Sequence, residues 1–205
     1  MSTLFYQKAR RHLSRKCPVM KRLIGKVGPC TLTPNPADPF TLLVRCVISQ
    51  QISTKAAESI YGRLASVVGG PPTPMAKIAK LTEAQFKECG VSGPKQRTLR
   101  AVIDHVKANP KLLPGIEKRD NETIHEQLTA IKGIGPWSAD MFLIFGLGRP
   151  DVLPVGDYGF RAALKVQFQL DELPKPDKAA ELSAPWQPYR SIATWYLWRS
   201  LENEK

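Results

Sequence analysis

Leu128-Thr-Ala-Ile131-Lys-Gly-Ile-Gly-Pro-Trp137-Ser-Ala139 is the stretch on which the fold turns. Two glycines, Gly133 and Gly135, bracket one apolar residue between two segments of helical pattern. Glycine admits positive φ and lets backbones approach closely. The spacing predicts that Ile134 plugs into a core while the amides after Gly133 point outward beside a helix N-terminus. Unpaired N–H groups and the helix dipole both favour an anion there, such as a phosphate. A Gly-x-Gly also serves as a plain helix–helix turn. Leu128 and Ile131 before it, and Ala139 after it, make the pattern more specific.

Working outward, helical periodicity dominates and strand-type alternation is scarce. Phe40, Leu43, Val44, Val47 and Ile48 recur at the spacing of a core-facing helix, with Pro39 suited to its first turn and Asp38 to its cap. Ser53 suits the cap of a helix running to about Val68, ended by Gly69-Gly-Pro-Pro72. Thr82 and Gln85 make a capping-box pair, and Gly90 a stop. A helix from Pro94 carries Leu99, Val102, Ile103 and Val106 and ends before Asn109-Pro110. Further helices are predicted over Glu122–Ile131, Trp137–Phe145, from Tyr158 onward, and over Tyr189–Glu202. Arg149–Gly156 and Pro174–Pro176 read as loops. The fold class is all-α.

Composition limits the partner. Lys and Arg number 30 against 18 Asp and Glu, a formal net charge of +12 on 205 residues. Such an excess favours a polyanion, nucleic acid first, over an ordinary solvated surface. The four cysteines, Cys17, Cys30, Cys46 and Cys89, are scattered without a Cys-x-x-Cys pair, which fits an intracellular chain and no zinc site. His12, His105 and His125 are isolated and expected at the surface. The basic start, Met1 to Lys16, lacks the apolar stretch of a secretory signal, and no apolar run approaches membrane length.

The hairpin is followed by Leu153-Pro-Val-Gly-Asp157-Tyr-Gly-Phe-Arg161, with Asp157 twenty positions after Trp137. In this order of hairpin, Gly/Pro loop and acid the chain resembles the helix-hairpin-helix DNA glycosylases. The likeness extends over Val47–Ser53, Gly90–Lys95 and Trp186–Ala193, and so from about Pro34 to Leu201. Among them it is most similar to the 3-methyladenine glycosylases of alkylation repair, in their compact form without an extra N-terminal β-rich domain. The resemblance implies one compact, two-lobed helical unit over 1–205 with a DNA-binding cleft between the lobes. One lobe would comprise 1–35 and 150–205, the other 36–149 with the hairpin at 128–140.

That family's chemistry implies roles for single residues. Asp157 would be the catalytic acid residue. Its carboxylate would stabilise the positive charge that builds on the sugar as the bond to the base breaks, and would orient or deprotonate the attacking water. Capping of the helix from Tyr158 is the plainer role for an aspartate here, and both can hold together. Strand-cleaving relatives carry a lysine where this chain has Trp137; tryptophan offers no amine, so a monofunctional hydrolase is implied. An alkylated purine is cationic and suits aromatic faces, and Trp137, Tyr158 and Trp198 match pocket positions. Met141 stands where relatives can place a pocket tyrosine. Trp186 and Trp195 read as core.

Gln51 and Ile52 match the residues that fill and wedge the gap left by a flipped base. Ser92, Lys95, Lys132, Gly133, Gly135 and Ser138 are the remaining expected DNA contacts. The carbonyls of Thr129, Ile131 and Ile134 would hold a sodium or potassium ion. No cofactor is required, and no iron–sulfur cluster is expected, since no cysteine follows Asp157. The expected partner is double-stranded DNA carrying a damaged base, met by a monomer located with the DNA and away from membranes. A non-catalytic DNA-binding module, or a glycosylase for another lesion, are the alternative readings.

Overall fold

The computed structural model describes residues 3–34 and 38–202, and no strand occurs among them, as an all-α chain requires. The chain divides into two compact units, one of Met1–Pro34 with Leu143–Lys205 and the other of Asn35–Phe142.

The first unit opens with α1 (Thr3–Lys16) and α2 (Pro18–Val27). Pro18 starts α2 at its first position, where a missing N–H costs nothing. Gly28, at φ +85°, ends it by donating to the Ile24 carbonyl at 3.0 Å. Ala9 and Leu13 of α1 and Met20, Leu23 and Ile24 of α2 are buried between the two helices and the rest of their unit. The sequence analysis assigns no helix here, although Met20, Leu23, Ile24 and Val27 recur at helical spacing.

The second unit holds α3 (Pro39–Ser49), α4 (Thr54–Val68), α5 (Met75–Ile78), α6 (Glu83–Glu88), α7 (Gly93–Ala108), α8 (Asn121–Thr129) and α9 (Pro136–Met141). Its starts follow local chemistry. Asp38 accepts from the amides of Phe40 and Thr41 at 3.1 Å, Ser53 from Ala56 at 3.3 Å, and Thr82 with Gln85 forms the full capping box. Each cap contributes about 1 kcal/mol. Helix α3 is buried on nearly every side and packs on α4, α7 and α9, so it is the spine of this unit.

The chain then returns to the first unit with α10 (Tyr158–Gln167), α11 (Pro176–Ser183) and α12 (Arg190–Glu202). Ser191 through Leu197 are all buried, which makes α12 the spine here, packed on α2 and α10. Trp186 and Trp195 lie in this core, as expected.

Four features depart from the sequence reading. The helix after the hairpin is α-helical only to Met141 and then widens into a π turn over Phe142–Gly146. Pro176, read as loop, opens α11 at its first position. All three histidines are half-buried: His12 lies 3.3 Å from the Pro185 carbonyl and against the Tyr189 ring, and His125 lies 3.8 Å from Asp140. The second unit ends at Phe142, ahead of the 149/150 division expected from the loop. Leu143 and Ile144 are buried, and the Arg149 amide donates back to the Leu143 carbonyl at 2.9 Å, which ties this turn to the Arg149–Gly156 loop. The other expected division, at 35/36, lies outside the described residues.

Candidate active site and nucleic-acid interface

In the first unit, the loop before Asp157 is clamped to the start of α12. The Arg190 guanidinium donates to both carboxylate oxygens of Asp151, at 2.8 and 2.9 Å, and the Arg190 amide donates to Oδ1 at 3.1 Å. Asp151 thus places negative charge on the positive end of α12. Ser191 Oγ donates to the Arg149 carbonyl at 2.7 Å and accepts from the Val152 amide at 2.9 Å.

The far end of the same helix holds the acid. Asp157 is the N-cap of α10, its Oδ1 accepting from the Phe160 amide at 2.5 Å and from Trp198 Nε1 at 2.8 Å. The cap and the contact from Trp198 therefore coincide in one oxygen. Gly159 makes room for this contact: a Cβ there would stand 3.3 Å from Asp157 Oδ1 and 3.5 Å from the Trp198 ring. The other face of the arrangement is aromatic. Phe145, presented by the π turn and 39% exposed, stacks on Trp198 with centroids 5.6 Å apart and planes at 16°. Tyr158 is 70% exposed, too open to be a core residue. Phe145 escaped the sequence reading; the signal was an apolar run, Met141–Phe145, too continuous for one face of a helix to bury.

In the second unit, the hairpin has the predicted form. Leu128, Ile131 and Ile134 are buried, and the Ile134 amide closes the turn on the Ile131 carbonyl at 2.9 Å. Gly133 sits at φ +92°, and a Cβ on it would overlap Thr98 Oγ1, so only glycine fits. Gly135 is the N-cap of α9, and Lys132 is exposed.

Two expected DNA contacts make internal hydrogen bonds. Ser138 is 3% exposed and its hydroxyl accepts from Gln50 Nε2 at 2.9 Å, because the first turn of α9 faces inward. The Lys95 ammonium donates to the Ile48 carbonyl at 2.7 Å, at the negative end of α3, and desolvation holds its pKa below the ordinary lysine value. Ser92 is the N-cap of α7, exposed, and its hydroxyl makes no cap hydrogen bond. Met141 is buried and Trp137 half-buried, both on α9.

Gln50 is the residue missed. Its Nε2 donates to the Gly133 carbonyl at 3.0 Å as well as to Ser138, tying the 50–53 turn to the hairpin. The next residue, Gln51, is exposed and adopts φ +57°, a left-handed conformation uncommon outside glycine that tends to mark functional sites. Ile52 is 37% exposed. Replacing Gln50 with leucine strands two acceptors, at about 1–2 kcal/mol. The expected result is a Kd for duplex DNA raised about tenfold, read by fluorescence anisotropy, with helical content by circular dichroism unchanged. Wild-type affinity would show that the two loops act independently.

Among the described residues no group of three or more His, Cys, Asp or Glu is placed to share a metal ion, and no helix is long and apolar enough to cross a membrane.

These features define a class: an all-α scaffold with a glycine hairpin between two helices and an aspartate capping a third. The family model for HhH-GPD superfamily base excision DNA repair proteins matches residues 44–188, and the chain belongs to that superfamily. It is 35% identical over 201 residues to the alkylbase DNA glycosidase-like protein mag2 of Schizosaccharomyces pombe, covering 95% of this chain and 93% of that one. Identity to DNA-3-methyladenine glycosylase 1 of the same yeast is also 35%, over 94% of this chain and 86% of that one. Among solved structures, the S. pombe 3-methyladenine DNA glycosylase in complex with abasic DNA superimposes with a TM-score of 0.85 at 32% identity, covering 95% and 97% of the two chains. A DNA-3-methyladenine glycosidase from Bacillus halodurans gives 0.75 at 34% identity, covering 92% and 86%.

Proposed function

We propose that this chain is a monofunctional DNA glycosylase that hydrolyses the N-glycosidic bond of alkylated purines, such as 3-methyladenine and 7-methylguanine, in base excision repair. The observation that carries this is Asp157, its Oδ1 fixed by a helix amide and by Trp198 beside the exposed rings of Phe145 and Tyr158. The S. pombe relative bound to abasic DNA supports double-stranded DNA as the partner.

In the reaction the bond from C1′ to the base nitrogen breaks and its electron pair neutralises the cationic base. The sugar is left oxocarbenium-like, and the Asp157 carboxylate stabilises it. Water adds to C1′, and the carboxylate takes its proton. Aromatic faces attract the cationic base by roughly 0.5–2 kcal/mol before it leaves. Trp137 supplies no amine, so no Schiff base forms and the strand stays intact. Gln51 and Ile52 fill the space left by the flipped base, while Ser92, Lys132, Gly133 and Gly135 meet phosphates. The carbonyls of Thr129, Ile131 and Ile134 hold a monovalent cation at the hairpin; their place at the end of α8 and in the turn fits an oxygen-only site. One monomer serves one duplex.

The test is base release from duplex DNA treated with a methylating agent. Free methylpurine with an unbroken abasic strand, and no covalent product on borohydride reduction, is the expected result. A trapped protein–DNA product would refute the monofunctional reading. Tight binding without release would make the chain a non-catalytic DNA-binding member of its family.

A further inference from the structure

The first unit carries an unassigned cationic face. Between Thr3 and Pro34 the chain has eight Lys and Arg and no Asp or Glu, so this segment supplies eight of the net +12 charges. Three of the eight have local reasons. Arg15 and Lys16 complement the C-terminal end of α1, and Arg22 donates to the Gln167 carbonyl at 3.0 Å. The others have no carboxylate within ion-pair distance among the described residues, whereas Arg45, Lys178 and Arg190 elsewhere are paired with acids.

An open pocket of about 300 Å³ lies on this face, lined by Gln7, Arg10, Arg11 and Ser14 of α1 and by Ile24 of α2. Positions 7, 10, 11 and 14 fall at the i, i+3, i+4, i+7 spacing that normally packs an apolar stripe against a neighbour. Here that stripe is polar, with two guanidiniums, and it borders a cavity. Arg10 Nε is shielded from solvent and has no hydrogen-bond partner, a costly state for a cationic donor.

We propose that this pocket binds a backbone phosphodiester of nucleic acid, a grip belonging to the first unit and additional to the hairpin contacts of the second. The idea rests on the reading of the chain as a DNA-binding protein, though not on its catalysis. An arginine fork matches phosphate oxygens in geometry and charge, and Gln7 and Ser14 add neutral donors. No aromatic ring lines the pocket to stack a base, which favours a strand phosphate over a free nucleotide.

The test is the salt dependence of affinity for undamaged duplex DNA, measured by anisotropy on the full chain. Arg10→Ala/Arg11→Ala is compared with Lys175→Ala/Lys178→Ala, which removes the same charge elsewhere in the first unit. Loss of one phosphate contact makes the slope of log K against log salt shallower by about 0.9 and weakens binding about eightfold at 0.1 M salt. That change is expected in the Arg10/Arg11 variant and not in the control. The single exposed variant Arg11→Glu covers the case in which the double variant folds poorly. Base release at saturating enzyme should match the native chain. Native-like slopes in folded variants, or equal changes in the control pair, would overturn the proposal. Because the readout is binding, it stands or falls apart from Asp157 chemistry.

Discussion

Asp157→Asn should lower base release about 10²–10³-fold, the usual cost of removing one preorganised electrostatic partner of a transition state. Asparagine is nearly the same shape and an equally good N-cap. Its amide oxygen can still accept from the Phe160 amide and Trp198 Nε1, which Asp157 Oδ1 now satisfies. What disappears is the negative charge that, in the proposed reaction, stabilises the oxocarbenium-like sugar and takes the proton of water. Duplex affinity and thermal midpoint should therefore stay near native while single-turnover release of methylpurine collapses. Asp157→Ala makes a useful contrast, losing the cap as well and about 1 kcal/mol of stability with it. Unchanged release by Asp157→Asn would remove Asp157 from the mechanism.

The second large effect is expected at the hairpin. A methyl group on Gly133 would overlap Thr98 Oγ1 and lie 2.8 Å from its Cγ2 and 3.0 Å from its Cβ, with the backbone at φ +92°. The left-handed conformation alone costs an alanine about 1–2 kcal/mol, and forcing α7 away from the turn adds roughly 1–3 kcal/mol. Gly133→Ala should lower the thermal midpoint by about 5–15 °C, given roughly 2–4 °C per kcal/mol at this chain length. DNA affinity should fall more than about tenfold, because the Gly133 carbonyl that Gln50 holds moves with the turn. Adding Thr98→Ala relieves the two shorter contacts and leaves the φ penalty, so partial recovery is the expected outcome. Native melting and binding by Gly133→Ala would show that this close approach is dispensable.

Much of this was written locally. Asp38, Ser53, Thr82 with Gln85, and Asp157 cap the helices their positions predict, because a cap needs only a short side chain and amides two or three residues on. The buried Ile134 between two glycines follows from the same short-range logic. Trp137 in place of a lysine is chemistry that a sequence states outright.

Other features needed partners distant along the chain. Helix α1 looks like a basic tail until Leu13 finds its unit. Nothing local shows that the Lys95 ammonium meets the Ile48 carbonyl, or that Gln50 reaches the Ser138 hydroxyl. A hydrogen bond from Gln50 to Gly133, or from Trp198 to Asp157, leaves no periodic trace in either segment. The sequence by itself determined most of the helices, their caps and the hairpin, since these depend on neighbours within a turn or two. Only the tertiary structure decided which polar side chains make internal hydrogen bonds, and that the Asp157 oxygen which caps α10 also receives Trp198, because packing chooses partners that sequence separation hides.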